Sequence, residues 1–170
     1  MREKLASALN SKNLAAKFND CPLDKIHALG IAAQTNPIGV DAIRFIDALQ
    51  QKSYKPLIYR LVKASKSIMH CDRSLLTKIA EQVVHEAAFS FCPSCSGRKE
   101  LKIDEKVLQC QTCHGSGFNR HTDLERALSI GVSLEVYQKF WIKRFQTVQS
   151  IFTDNYKSAI KTTYNVTKIY

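Results

Sequence analysis

Apolar residues recur at helical spacing along most of this chain, and the pattern lapses once, between residues 92 and 118. Residues 1–20 carry only a weak apolar period, which predicts a marginal helix or a frayed terminus. Leu23–Ala33 reads as a short helix that stops at Asn36-Pro37, because proline disfavours helix in the residue before it. Asp41 is expected to N-cap the next helix, whose face is Ile43, Ile46 and Leu49. Pro56 suits a first-turn position, with Leu57, Leu61 and Ile68 on a stripe that runs to about Met69. Asp72 should cap the strongest helix, which places Leu75, Leu76, Ile79, Val83 and Ala87 on one face up to Phe91. Three helices joined by a few residues each predict an antiparallel bundle. Periodicity resumes at Asp123 and runs nearly to the end. There Tyr137, Trp141, Phe145 (or Arg144), Val148 and Phe152 form a stripe expected to pack on the Asp72–Phe91 helix, with Lys157, Lys161 and Lys168 outside.

The lapse holds four of the six cysteines, as Cys92-Pro-Ser-Cys95-Ser-Gly97 and Cys110-Gln-Thr-Cys113-His-Gly115-Ser-Gly117. Two Cys-x2-Cys pairs in a chain without an export signal read as a metal site, with redox-active pairs as the alternative. A thiolate knuckle turns sharply enough to point backbone N–H groups at sulfur, and glycine supplies the positive φ this needs. Between the pairs, Leu101-Lys102-Ile103 and Val107-Leu108-Gln109 flank Asp104-Glu105-Lys106, a short hairpin with a three-residue turn. Two knuckles joined by a hairpin present four thiolates to one Zn2+ ion, a closed and therefore structural site. His114 and His121 lie close enough to stand in for a cysteine. The region has almost no apolar core, so its folding should depend on the metal. Cys21 and Cys71 read as small buried apolar residues.

After the knuckles, Asp123–Phe140 has the arithmetic of two helices crossing at a tight turn. Ala127 lies four residues before Gly131, and Ile130, Val132, Tyr137 and Phe140 are available to fill the angle. Ser133 can cap the second helix, with Val136 where a capping box prefers Glu or Gln. Gln138, Lys139, Lys143 and Arg144 on that helix are side-chain types that reach base edges or phosphates in a major groove. An ordinary helical hairpin with a glycine corner is the plainer reading, and Arg126 stands where such motifs place an apolar residue.

Charge sharpens this picture. Lys and Arg total 25 against 15 Asp and Glu, a net charge of +10, and residues 137–170 hold six bases against Asp154 alone. Such an excess suits a polyanion, since each neutralised phosphate releases counterions. At 170 residues, 45% hydrophobic and 24% charged, the composition is that of an ordinary globular chain. No apolar run approaches the ~18 residues of a membrane span, and the opening Met-Arg-Glu-Lys leads into no secretory core, which predicts a cytoplasmic protein. No catalytic constellation is visible: His85-Glu86 lacks a second His four residues away, and no glycine-rich phosphate loop occurs. The chain therefore reads as non-enzymatic. Its expected class is mainly α: a helical bundle over 38–170, after a partly flexible segment 1–37. A four-cysteine zinc knuckle hairpin is inserted at about 92–118 and a helix-turn-helix-like element at about 123–144.

This order of parts resembles the late-gene antitermination proteins of lambdoid phages, the Q proteins of the lambda type. The resemblance rests on a helix ending in Phe-Ser-Phe, then Cys92-x2-Cys95-x-Gly, a short spacer, and Cys110-x2-Cys113-x-Gly-x-Gly. Phe118, Arg120, the turn motif, Trp141 and a final helix follow. It spans roughly residues 38–163, and Phe91–Trp141 carries most of it. Two departures are Arg98-Lys99 in place of the first knuckle's second glycine, and a short spacer. The resemblance implies a sequence-specific binder of double-stranded DNA at a site within a late promoter. It would engage bacterial RNA polymerase holoenzyme with its sigma factor and carry it through pauses and terminators. It also implies that Cys92, Cys95, Cys110 and Cys113 are the zinc ligands and that Ser133–Arg144, with Arg120, faces DNA. A repressor-type DNA binder and a zinc module for unfolded peptide, like the DnaJ chaperone repeats, are the alternatives.

Overall fold

The computed structural model describes residues 22–47, 50–103 and 106–169. The expected helix in residues 1–20, Cys21 and the hairpin residues Asp104 and Glu105 lie outside these. In chain order the elements begin with helices α1 (Pro22–Thr35) and α2 (Pro37–Ile46), then a 3-10 turn (Gln51–Ser53), α3 (Tyr54–Lys66) and α4 (Arg73–Ala88). A hairpin of β1 (Glu100–Ile103) and β2 (Lys106–Gln109) comes next. It is followed by α5 (Asp123–Ile130), the single turn α6 (Leu134–Val136), a π-helical turn (Tyr137–Trp141) and α7 (Ile142–Ile169).

Helix α7 is the strut of the bundle. Phe145, Val148, Phe152, Tyr156 and Ala159 follow at steps of three and four, form one helical face, and are buried against α1, α2, α3 and α4. Burying a side chain of this size contributes about 1.5–3 kcal/mol, so this one stripe is a large share of what holds the helices together. Of the residues expected as a separate N-terminal segment, 22–35 form α1, and Ala28, Leu29 and Ala32 of α1 lie in the core. Close approach of α2 to α7 requires Gly39, where a Cβ would run into the Asn155 carbonyl and the Ala159 side chain.

Local start signals place most helices, with one correction. Asn36 caps α2, its Oδ1 accepting from the Gly39 N–H at 2.9 Å, and Pro37 is the first helical residue. Asp41 is therefore inside α2 and not its cap, because the Asn36-Pro37 signal opens the helix four residues earlier. There Asp41 is buried and ion-paired with Arg60 of α3. Burial raises its carboxyl despite the lowering pull of Arg60. Asp72 caps α4 as expected, accepting from Ser74 N at 2.8 Å and Leu75 N at 3.1 Å. Two stripes are shorter than their periodicity suggested. Helix α3 ends at Lys66, leaving Ile68 64% exposed, and α4 ends at Ala88, before Phe91. Among the described residues no helix is long and apolar enough to cross a membrane.

Candidate metal centre and the basic helical corner

The four knuckle cysteines converge. All their Sγ atoms lie within 4.8 Å of one another; Cys92 to Cys110 is 3.9 Å and Cys95 to Cys113 is 3.7 Å. A disulfide would need about 2.05 Å. A tetrahedron with metal–sulfur arms of about 2.3 Å has edges of about 3.8 Å. The sulfurs are thus spaced to hold one metal ion. They form a cluster apart from the helical core, with Leu101 as its apolar neighbour.

The two knuckles are near copies related by a shift of 18 residues. The central Ser94 and Thr112 hydroxyls meet across the pseudo-dyad at 2.8 Å. Cys110 N donates to Lys99 O at 2.9 Å, and Cys92 N to Gly117 O at 3.0 Å, so each knuckle ties down the other's first ligand. Ser96, Gly97 and Lys99 have φ of 50°, 82° and 72°; His114, Gly115 and Gly117 have 49°, 75° and 78°. The missing second glycine of the first knuckle is therefore Lys99 held in the left-handed region. A non-glycine residue pays roughly 1–2 kcal/mol there. Antiparallel β1 and β2 join the knuckles, with Glu100 opposite Gln109 and Ile103 opposite Lys106, so Lys106 belongs to the ladder and not to the turn.

Electrostatics favour a cation here. Burial pushes the Cys95 thiol up to about 11. Burial would raise Cys113 too, but the Gly117 N–H, which donates to its Sγ at 3.2 Å, and the neighbouring thiols hold it down at about 6. The backbone N–H of Cys95 is the main cause that lowers Cys92. Four thiolates this close repel one another, and a divalent ion removes that penalty. Neither histidine joins the cluster: His114 is exposed on its knuckle, and His121 sits 3.8 Å from Glu125.

The arm Phe118–His121 leads from the second knuckle into α5. Thr122 and Glu125 form a reciprocal capping box, Thr122 N to Glu125 Oε2 at 2.8 Å and Glu125 N to Thr122 Oγ1 at 3.2 Å. Gly131 closes α5 with φ 79°, its N–H directed at the Ala127 and Leu128 carbonyls. Ser133 Oγ accepts from Val136 N at 3.4 Å. Ala127, Ile130 and Tyr137 are buried in the corner, and Val132 is partly buried. Phe140 is 53% exposed and does not fill it. The reason is the π turn. Tyr137 and Phe145 are eight residues apart, about 80° out of phase in a 3.6-residue helix, and the extra residue of a π turn brings both to the core side.

Arg126, the out-of-pattern residue, grips Glu86 of α4 with Nε and one terminal nitrogen, both at 2.8 Å, and lies 4.8 Å from the Phe145 ring centre. Glu86 raises the guanidinium further above its ordinary value. This bidentate pair fixes α5 to the bundle. A Glu inside an apolar helical face and an Arg inside a corner motif were its signals in the sequence. Of the DNA-facing candidates, Arg120, Ser133, Gln138, Lys139 and Lys143 are exposed. Arg144 is half-buried, stacked 4.7 Å from the Trp141 ring centre and donating to Phe140 O. Arg120 is on the arm that follows the second knuckle, in the groove lined by Phe118 and Gln149. Compared with known proteins, the chain matches no family model and no curated protein sequence.

Proposed function

We propose that this chain is a zinc-stabilised, sequence-specific DNA-binding antitermination factor. It would act in the host cytoplasm on bacterial RNA polymerase holoenzyme with its sigma factor at a phage late promoter. The observation that carries the reading is the four-thiolate cluster set between α4 and α5: a Zn2+ ion on Cys92, Cys95, Cys110 and Cys113 would stiffen the arm that leads into the basic corner. Four thiolates complete a tetrahedral shell, so zinc would supply rigidity and electrostatic neutralisation. In this reading α5, the Gly131 turn and the helix from Leu134 act as a helix-turn-helix, with Gln138, Lys139 and Lys143 exposed for bases and phosphates. The resemblance of this order of parts to that of the antitermination proteins supports the polymerase partner.

The test couples binding to transcription. On promoter fragments, Lys139→Ala with Lys143→Ala should weaken affinity and lower the log–log salt slope by about two, one per lost phosphate contact. Purified protein should carry polymerase past a terminator. Unchanged affinity and slope would reject this corner as the DNA surface. Blocked initiation without read-through would make the protein a repressor, and DNA binding absent at all salt concentrations would point to the peptide-binding alternative.

A further inference from the structure

The zinc knuckles carry an aromatic pair that the duplex-binding corner does not use. Phe91 and Phe118 pair as an antiparallel bridge, their rings 6.2 Å apart and 18° from parallel. Both are more than half exposed, at 51% and 56%. The Phe91 ring rests on Gly97, where a Cβ would come within 2.9 Å of it, and the Lys99 side chain lies along Gly117, next to Phe118. Arg98, Lys99 and Arg120 are exposed, Lys99 and Arg98 on the first knuckle and Arg120 two residues from Phe118, with the Arg98 Nε donating to the Cys95 carbonyl at 3.2 Å. Phe118 also walls an open groove of about 540 Å³ shared with Ser90, Asn119, Arg120, His121 and Gln149. The one carboxylate lining it, Glu86, is engaged by Arg126.

Two flat, near-parallel exposed rings beside exposed cations offer what an unstacked polynucleotide requires. Bases stack on the rings whatever their sequence, and the cations follow the backbone. An apolar protein segment would use the rings but would not need the three cations. We propose that Phe91, Phe118 and the adjoining groove bind single-stranded DNA, with bases on the rings, a base edge toward the polar groups of the groove, and phosphates on Lys99 and Arg120. The far wall of the groove is α7, which continues from the basic corner, so a strand opened from a duplex held there is the polyanion at hand. The choice of DNA over RNA alone rests on the duplex-binding reading.

Anisotropy with labelled oligothymidylate of about twelve nucleotides, within the span of one such site, tests this on the zinc-loaded full chain. Phe91→Leu and Phe118→Leu keep an apolar side chain and remove the flat ring; each should weaken binding about fivefold or more. Phe118→Trp, with a larger ring, should bind more tightly than the parent. Arg120→Gln should lower the salt slope by about one. Zinc content and circular dichroism identify any variant that fails to fold, and Phe118→Trp then decides: tighter binding requires stacking, and parent-like or weaker binding overturns the site. Parent-like affinity in both Leu variants overturns the site, as does tighter binding of oligouridylate than of oligothymidylate. So does failure of oligothymidylate to bind. Lys139→Ala with Lys143→Ala should weaken duplex binding and leave oligothymidylate binding unchanged; weakening of both, with the Leu variants silent, also overturns it. If duplex binding is absent while ring-dependent oligothymidylate binding persists, the proposed function falls and this site stands.

Discussion

Arg126→Met is the perturbation that most directly tests how the basic corner is held. Glu86 has a side chain only 7% exposed and receives two charge-assisted bonds of 2.8 Å from Arg126. Removing one partner of a buried ion pair costs about 3–5 kcal/mol, because the other charge stays desolvated. Two features lower that figure here. Gln82 Nε2 still donates to Glu86 Oε1 at 3.1 Å, worth about 1 kcal/mol, and the Arg126 side chain is 22% exposed. Methionine also fills part of the space over Phe145. We therefore expect a loss of about 2–3 kcal/mol. In a chain of this length that lowers Tm by about 5–10 °C. Urea unfolding followed by circular dichroism gives the single values, and Glu86→Leu with Arg126→Met completes the cycle. The double variant should recover most of the loss, since it buries no lone charge. A cost below about 0.5 kcal/mol for Arg126→Met, the size of an ordinary surface change, or additive single effects, would refute the claim that this pair anchors α5.

Further expectations concern the metal centre. Chelation should expose residues 92–118 to protease while leaving most of the helical signal in place, because the cysteine cluster and the helical core are separate; global loss of helix would show that the bundle depends on the ion. Cys110→Ser should abolish stoichiometric zinc binding, measured by atomic absorption. With Cys113 ionised from about 6 upward and Cys95 protonated until about 11, zinc binding at pH 7 must displace at least the Cys95 proton. Apparent affinity should then rise with pH by about tenfold per unit for each proton released. Competition with a chromophoric chelator between pH 6 and 8 measures this, and a flat profile would refute it. The low Cys113 value favours its thiolate above about 6, so that stabilisation is lost as pH falls through that value. Lys99→Gly relieves a left-handed lysine and should stabilise the zinc-bound knuckle by about 1 kcal/mol, read as a higher chelator midpoint.

Features set by covalent neighbours were legible in the sequence. Each Cys-x2-Cys knuckle, the Gly131 turn, the Asp72 cap and the α7 stripe depend on residues a few positions apart, and local backbone geometry is enough to bring such residues together; the hairpin then joins the two knuckles across 18 residues. Asn36-Pro37 and the Thr122–Glu125 box belong to the same class: Asn36-Pro37 ends one helix and opens the next, and Thr122 with Glu125 three residues on is a capping box. Tertiary packing decided the rest. Glu86 and Arg126 are 40 residues apart; periodicity tells which face of α4 is buried but not which charge will meet it. Only the joined knuckles bring Phe91 to Phe118 and leave both rings in water. Phe140 turns outward because the π turn satisfies Tyr137 and Phe145 together, a compromise no single helical period contains. Asp41 lies buried because α2 is wedged between α3 and α7, where a carboxylate needs Arg60 and a cap would have stayed at the surface.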